Sequence, residues 1–181
     1  MKLHTFAVYV EDQPGVLNRV SSLFRRRGFN IHSLSVGTSE VAGISRMTVV
    51  VRTDGGGAAR IRAHLDKLVP VVRVEDLSDR PAVVRDLALI KVSASHESRA
   101  AVMQLADVFG GRVVDVAPAS VVVEICASEG KVDGLLEVLR PYGVLEMVRT
   151  GRVAMDRGTA ADAPREATIE VETAHGVSFS V

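Results

Sequence analysis

The chain has 181 residues, 47% of them apolar, with 22 Lys+Arg balanced by 22 Asp+Glu, 4% aromatic residues and one cysteine. That length suits one ordinary domain or two small ones, and the apolar share supports a real core and excludes wholesale disorder. The zero net charge and scarcity of aromatics argue against a global field or stacking surface for nucleic acid, and a lone Cys126 excludes an internal disulfide framework or thiolate cluster.

The N-terminal MKLHTFAVYVED is too short and too soon acidic for a signal peptide, and no apolar run approaches the roughly 20 residues of a membrane span. A soluble, cytoplasmic chain with no membrane partner is expected. In LHTFAVYV, Phe6, Val8 and Val10 alternate with Thr5, Ala7 and Tyr9, the period of a half-buried strand. Pro14 suits the first turn of a helix, on which Val16, Leu17, Val20, Leu23 and Phe24 share one face. Arg25 to Arg27 complement the helix's negative end, and Gly28 stops it. FNIHSLSVG and ISRMTVVVR follow as two strands joined near Glu40 to Gly43. Beyond a break at Gly55–Gly57, Ile61, Leu65 and Leu68 space a second helix that Pro70 ends, and VVRVEDL is a fourth strand.

The order βαββαβ then repeats. DLALIKVSA is a strand, and ESRAAVMQLADVFGG a helix with Val102, Leu105 and Phe109 inward. RVVDVA and SVVVEICA pair across Pro118. KVDGLLEVLRPYG is a helix on Val132, Leu135, Leu136 and Leu139, and VLEMVRTGRVAM closes the sheet as one strand. The pattern predicts an α+β chain of two tandem ferredoxin-like βαββαβ domains, residues 1–78 and 85–158, with a linker at 79–84. Residues 159–181 lack helical spacing and read as a loose tail in which Thr168 to Val171 could make a short strand.

Little of this carries chemistry. His4, His32, His64, His96 and His175 are scattered, without metal-ligand spacing, and read as surface or edge residues. Gly55–Gly57 lacks the Lys-Ser/Thr of a phosphate loop and reads as a flexible turn. The Arg25–Arg27 run reads as a solvated helix end, and Cys126, in VVVEICA, as a small buried hydrophobe. No metal site, catalytic residue or resident cofactor is indicated.

The stretch EDQPGVL is different. A helix N-terminus presents free N–H groups and partial positive charge to a carboxylate, and Gly15 has no side chain to obstruct it. Asp12 could meet an ammonium group or cap the helix, Asn30 offers both a donor and an acceptor, and Val16, Leu17 and Ile31 are an apolar lining. Together these describe an amino-acid site. An ordinary helix start, with Asn30 as a turn residue, accounts for the same residues and is the simpler reading of them alone.

VEDQPGVLNRVSSLFRRRGFNIHSLSVG, ISRMTVVV and LDKLVPVVRVEDL, followed by RDLALIKVSA, FGGRVVDVAPAS, GKVDGLLEVLRPYG and EMVRTGRVAMDRG, closely resemble the regulatory small subunit of acetohydroxyacid synthase (acetolactate synthase). The resemblance runs from about Lys2 to Gly158, and its first half is similar to an ACT domain, an amino-acid-binding ferredoxin-like module. It implies a non-catalytic subunit that activates a catalytic (large) subunit and confers valine feedback in branched-chain amino-acid biosynthesis. Thiamine diphosphate, magnesium and FAD are then expected on that partner. The resemblance also implies a homodimer through the ACT domains. Valine, or another branched-chain amino acid, would be held by Asp12, Gly15, Val16 and Leu17 of one subunit and Asn30 and Ile31 of the other. Asn18 and His32, which flank this site, depart from the family pattern. A free-standing amino-acid sensor and a ligand-insensitive paralogue are the alternatives.

Overall fold

β1 (Lys2–Glu11) is the strand around which the first half is built. It pairs antiparallel with β3 (Ile44–Thr53) on one side and β4 (Val71–Asp76) on the other, while β2 (Ile31–Thr38) adds beyond β3. The order β2-β3-β1-β4 leaves β2 and β4 as edges. Helices α1 (Val16–Arg26) and α2 (Gly55–Leu65) cover one face. There Phe6, Val8 and Val10 meet Met47, Val49 and Val51 from the sheet and Val20, Leu23, Phe24, Ile61 and Leu65 from the helices. Each large side chain so buried contributes about 1.5–3 kcal/mol, which is what selects this face. A computed structural model of the chain describes residues 1–158; the expected tail, with Thr168 to Val171 and His175, lies outside the described residues.

The second half repeats the plan. β5 (Ala82–Ser93) is central, flanked by β7 (Ser120–Ala127) and β8 (Val144–Arg149), with β6 (Arg112–Ala117) beyond β7. α3 (Arg99–Val108) and α4 (Glu129–Leu139) cover Ala88, Ile90, Val92, Val121, Val123 and Ile125. The repetition extends to irregularities. The β2–β3 register shifts between Ile31 and Ser33, and the β6–β7 register shifts at the matching place, between Val113 and Asp115. α1 ends with Gly28 N–H on Arg25 O and Phe29 N–H on Phe24 O; α3 ends with Gly110 N–H on Asp107 O and Gly111 N–H on Ala106 O. The chain is thus α+β with two ferredoxin-like units, as the periodicity predicts.

Several local readings need correction. VLEMVRTGRVAM is not one strand: it breaks at Thr150–Arg152 into β8 and β9 (Val153–Asp156). β9 leaves the second sheet's path and pairs with Ala82–Arg85, the early part of β5. This returning segment lies on the outer face of the first sheet, where Ala154 and Leu77 bury Ala7, Tyr9 and Ile44. β1 is therefore buried on both faces rather than half-buried. His4, on the helix side of β1, is buried too and stacks near Phe6. Gly55–Gly57 is no loose turn but the opening of α2, capped by the Asp54 carboxylate, which accepts from Gly57 N–H at 2.6 Å. A Cβ on Gly57 would lie 1.9 Å from Thr53 Oγ1, so glycine is needed for close packing there. Cys126 is exposed, because Val123, Ile125 and Ala127 take the inward positions of β7.

Candidate functional site

The loop between β1 and α1 is held by its backbone before any side chain acts. Asp12 N–H donates to Gly43 O at 2.8 Å, and the Asp12 carboxylate accepts from Ser45 Oγ at 3.2 Å, so this aspartate is committed to β3 and does not cap the helix. α1 opens at Val16, not at Pro14, with Gly15 as its N-cap in the left-handed region, φ 84° and ψ −5°. An L side chain at that φ is strained, and open space surrounds the position where a Cβ would stand. Among the described residues no side chain caps α1, and its first turn holds no acid. α2, in the same layer, is closed by Asp54. The α1 mouth thus combines first-turn amides, partial positive charge and an approach free of side chains.

The apolar residues divide. Val16 is buried in the core, whereas Leu17 is 44% exposed beside the mouth. Ile31 opens β2 and packs half-buried against the same core, with Asn30 exposed one residue before it. The fold does not bring the two groups together within one chain. Glu11, adjoining Asp12, pairs with Ile44 at one end of β3, and Ile31 pairs with Val51 near the other, a separation of about 20 Å along the strand. Asp12 to Leu17 form one cluster, and Asn30 with Ile31 form another, at the start of an edge strand.

The second unit lacks this arrangement. Matched through Gly28 and Gly110, the counterparts of Asp12, Gly15 and Asn30 are Ala94, Glu97 and Arg112. Ala94 is buried. Arg112 donates to Glu124 at 2.7 Å, and that contact raises its pKa above the usual arginine value. Arg99, at the start of α3, donates to the Ala117 and Pro118 carbonyls at 3.0 and 2.7 Å. Among the described residues α3, like α1, has no side-chain cap and no acid in its first turn, but Ser98 at negative φ enters it, so the glycine-entered mouth belongs to the first unit alone.

Sequence reasoning missed the junction between the units. The register shift around His32 leaves it the extra residue of β2, and bulges re-aim side chains in this way. His32 Nε2 lies 3.7 Å from Glu129 Oε1 at the head of α4. Arg152 donates to Glu129 Oε2 at 2.7 Å and to Thr5 Oγ1 at 3.2 Å, while its backbone N–H donates to Ser33 Oγ at 3.1 Å. Arg149 donates to the buried Asp86 at 2.7 and 3.1 Å and to Asp133 at 2.6 Å. Desolvation works against its charge, but Asp133 and Asp86 outweigh that and raise its pKa. His32, Ser33, Asp86, Glu129, Arg149, Thr150 and Arg152 line a cavity of about 300 Å³ here. The sequence hint is the bare glycine in RTGR: a Cβ on Gly151 would meet Leu34 O at 2.5 Å.

Among the described residues there is no group of three or more His, Cys, Asp or Glu that would hold a metal ion, and no helix is long and apolar enough to cross a membrane. The chain matches the family described as the small subunit of acetolactate synthase over residues 85–158, and the AHAS small subunit-like ACT domain over residues 6–73. It is 45% identical over 157 residues to the probable acetolactate synthase small subunit of Methanothermobacter thermautotrophicus, covering 86% of this chain and 94% of that one. Against the acetolactate synthase small subunit of Mycobacterium bovis it is also 45% identical over 157 residues, covering 87% and 94%. The crystal structure of the Thermotoga maritima acetolactate synthase small subunit matches with a TM-score of 0.82 at 37% identity, over 87% of this chain and 98% of that one. The chain belongs to the acetolactate synthase small-subunit family, and its first half is an ACT domain.

Proposed function

We propose that this chain is the non-catalytic regulatory subunit of an acetolactate synthase, activating a separate catalytic chain and making it responsive to valine or another branched-chain amino acid. The catalytic chain condenses pyruvate with pyruvate or 2-oxobutyrate and carries the thiamine diphosphate, magnesium and FAD. The amino acid is held between two protomers: its carboxylate at the α1 mouth beside Gly15, its side chain against Leu17, and its remaining polar group at Asn30 of the second protomer. Asp12, tied to Ser45, shapes the loop, and Val16 and Ile31 back the site from the core. The observation that carries the reading is the α1 mouth itself, which a glycine enters at positive φ with open space around it, an entry that the second unit's α3, opened by Ser98, does not share.

Calorimetric titration of valine into the purified protein, paired with acetolactate formation by the protein mixed with its host's catalytic subunit, tests it. Valine binding, higher turnover on mixing, and loss of that turnover with added valine are the expected results. No heat with any branched-chain amino acid at millimolar concentration overturns the ligand site; turnover unchanged by mixing overturns the subunit assignment.

A further inference from the structure

The chain is neutral as a whole, yet the helical layer of its ACT domain is not. Neither α1 (VLNRVSSLFRR) nor α2 (GGGAARIRAHL) contains an acid. The acids that adjoin them are Asp54, which caps the start of α2, and Asp66, which follows α2 and meets Arg62 at 3.9 Å. Arg19, Arg25, Arg26, Arg27, Arg60 and Lys67 are exposed on this layer, and among the described residues none of them has a carboxylate within salt-bridge distance. All but Arg60 border two adjoining clefts between α1 and the C-terminal end of α2. One, about 460 Å³, is lined by Leu23, Arg26, Arg27, His64, Lys67 and Leu68; the other, about 400 Å³, runs from Asn18 and Arg19 past Arg25 to Val69 and Pro70. Desolvation, then the charges of Arg27, Lys67 and Arg60, hold the His64 pKa below its ordinary value. Two helix C-termini offset some of this charge, but like charges gathered without counter-ions still repel one another. Val69 adds an apolar residue that is 88% exposed at the rim.

We infer that this basic, apolar-floored layer is the surface on which the ACT domain docks the catalytic chain, through an acidic segment of that chain. The inference rests on the subunit reading above and adds to it the surface and the partner's charge. A small subunit must present a face to a larger one. The outer face of this sheet is already covered by the protein's own Ala154 and Leu77, which leaves the helices as the domain's broad open face. A protein is favoured over a nucleic acid because the clefts are floored by Leu23 and Leu68, rimmed by Val69, and bordered by no Phe, Tyr or Trp on which a base would stack. Charge complementarity of this kind steers association and sets its register. The second cleft begins at Asn18, one helical turn from Gly15, so the docking face is continuous with the amino-acid site.

The test is assembly of the full-length protein with its host's catalytic subunit, measured by biosensor at rising ionic strength, for the parent, Arg26→Glu/Lys67→Glu, and Lys131→Glu on α4 as control. Valine calorimetry on each reports the integrity of the fold and of the ligand site. The expected result is that the double variant binds valine as the parent does but assembles about tenfold or more weakly. The control assembles normally, and parent assembly weakens with salt. A double variant that assembles at parent affinity overturns the docking surface while leaving the subunit reading intact. A parent that fails to assemble overturns both. A parent that binds single-stranded DNA more tightly than it binds the catalytic chain overturns the choice of a protein partner.

Discussion

Gly15 is where conformation and chemistry can be separated by substitution. Gly15→Asp places a carboxylate where the ligand's own carboxylate would sit, and like-charge juxtaposition in a closed site costs on the order of several kcal/mol. It also forces a side chain into φ 84°, a strain of about 1–2 kcal/mol to which Asn and Asp are the most tolerant residues. Gly15→Asn carries the same strain and nearly the same size without the charge. Valine titration should show binding abolished in Gly15→Asp and only weakened in Gly15→Asn, with both folded by circular dichroism. Equal loss in the two would mean that shape, not charge, governs the mouth. Asn30→Ala should weaken valine binding by about 1 kcal/mol, since it removes hydrogen bonds without adding repulsion; parent-like affinity would remove Asn30 from the site. The residues of this loop were legible in sequence because glycine, proline and acid each have a local reason to sit at a helix mouth. Their division was not: that Val16 turns into the core while Leu17 stays exposed, and that Asp12 bonds Ser45, depends on a strand more than thirty residues away.

At the scale of elements, strands and helices were legible wherever period 2 or period 3.6 ran unbroken, which covers both βαββαβ units. Alternation along β1 shows that Ala7 and Tyr9 face away from Phe6 and Val8, but not what covers them, because burial of a second face depends on a segment far along the chain. The segment is β9, and its entry is the close approach of Gly151 to Leu34. Gly151→Val should therefore lower the urea midpoint, by about 2 kcal/mol of stability or more, through a clash with backbone that cannot move aside; an unchanged midpoint would mean that this connector is not docked on β2. Arg149 secures the other side of the junction. Arg149→Leu leaves Asp86 buried without its partner, and uncompensated buried charges cost about 3–5 kcal/mol. Arg149→Leu/Asp86→Leu removes both charges and should recover much of that loss, and failure to recover would point to packing of the arginine stem as its main contribution.

The whole molecule follows from where its two halves differ. The units share strand order, bulge positions and helix stops, so one set of folding rules made both. Their divergence lies at the proposed ligand cluster, where the second unit has Ala94, Glu97 and Arg112. Only the first unit keeps the mouth, and its two clusters stand at opposite ends of one sheet with Asn30 at an open edge. In the proposed site one chain does not bring both clusters together, and a second copy that set its own edge strand against the first would supply the missing one. Edge strands left unpaired favour this kind of association. The protein should therefore sediment as a homodimer at micromolar concentration, more tightly with valine bound, because a ligand that contacts both protomers stabilises their association by mass action. Asn30→Ala should lose the valine-dependent gain while retaining the ligand-free dimer. Sedimentation that stays monomeric with and without valine would sink the shared site, and with it the reason for Gly15 and Asn30 to lie so far apart in one chain.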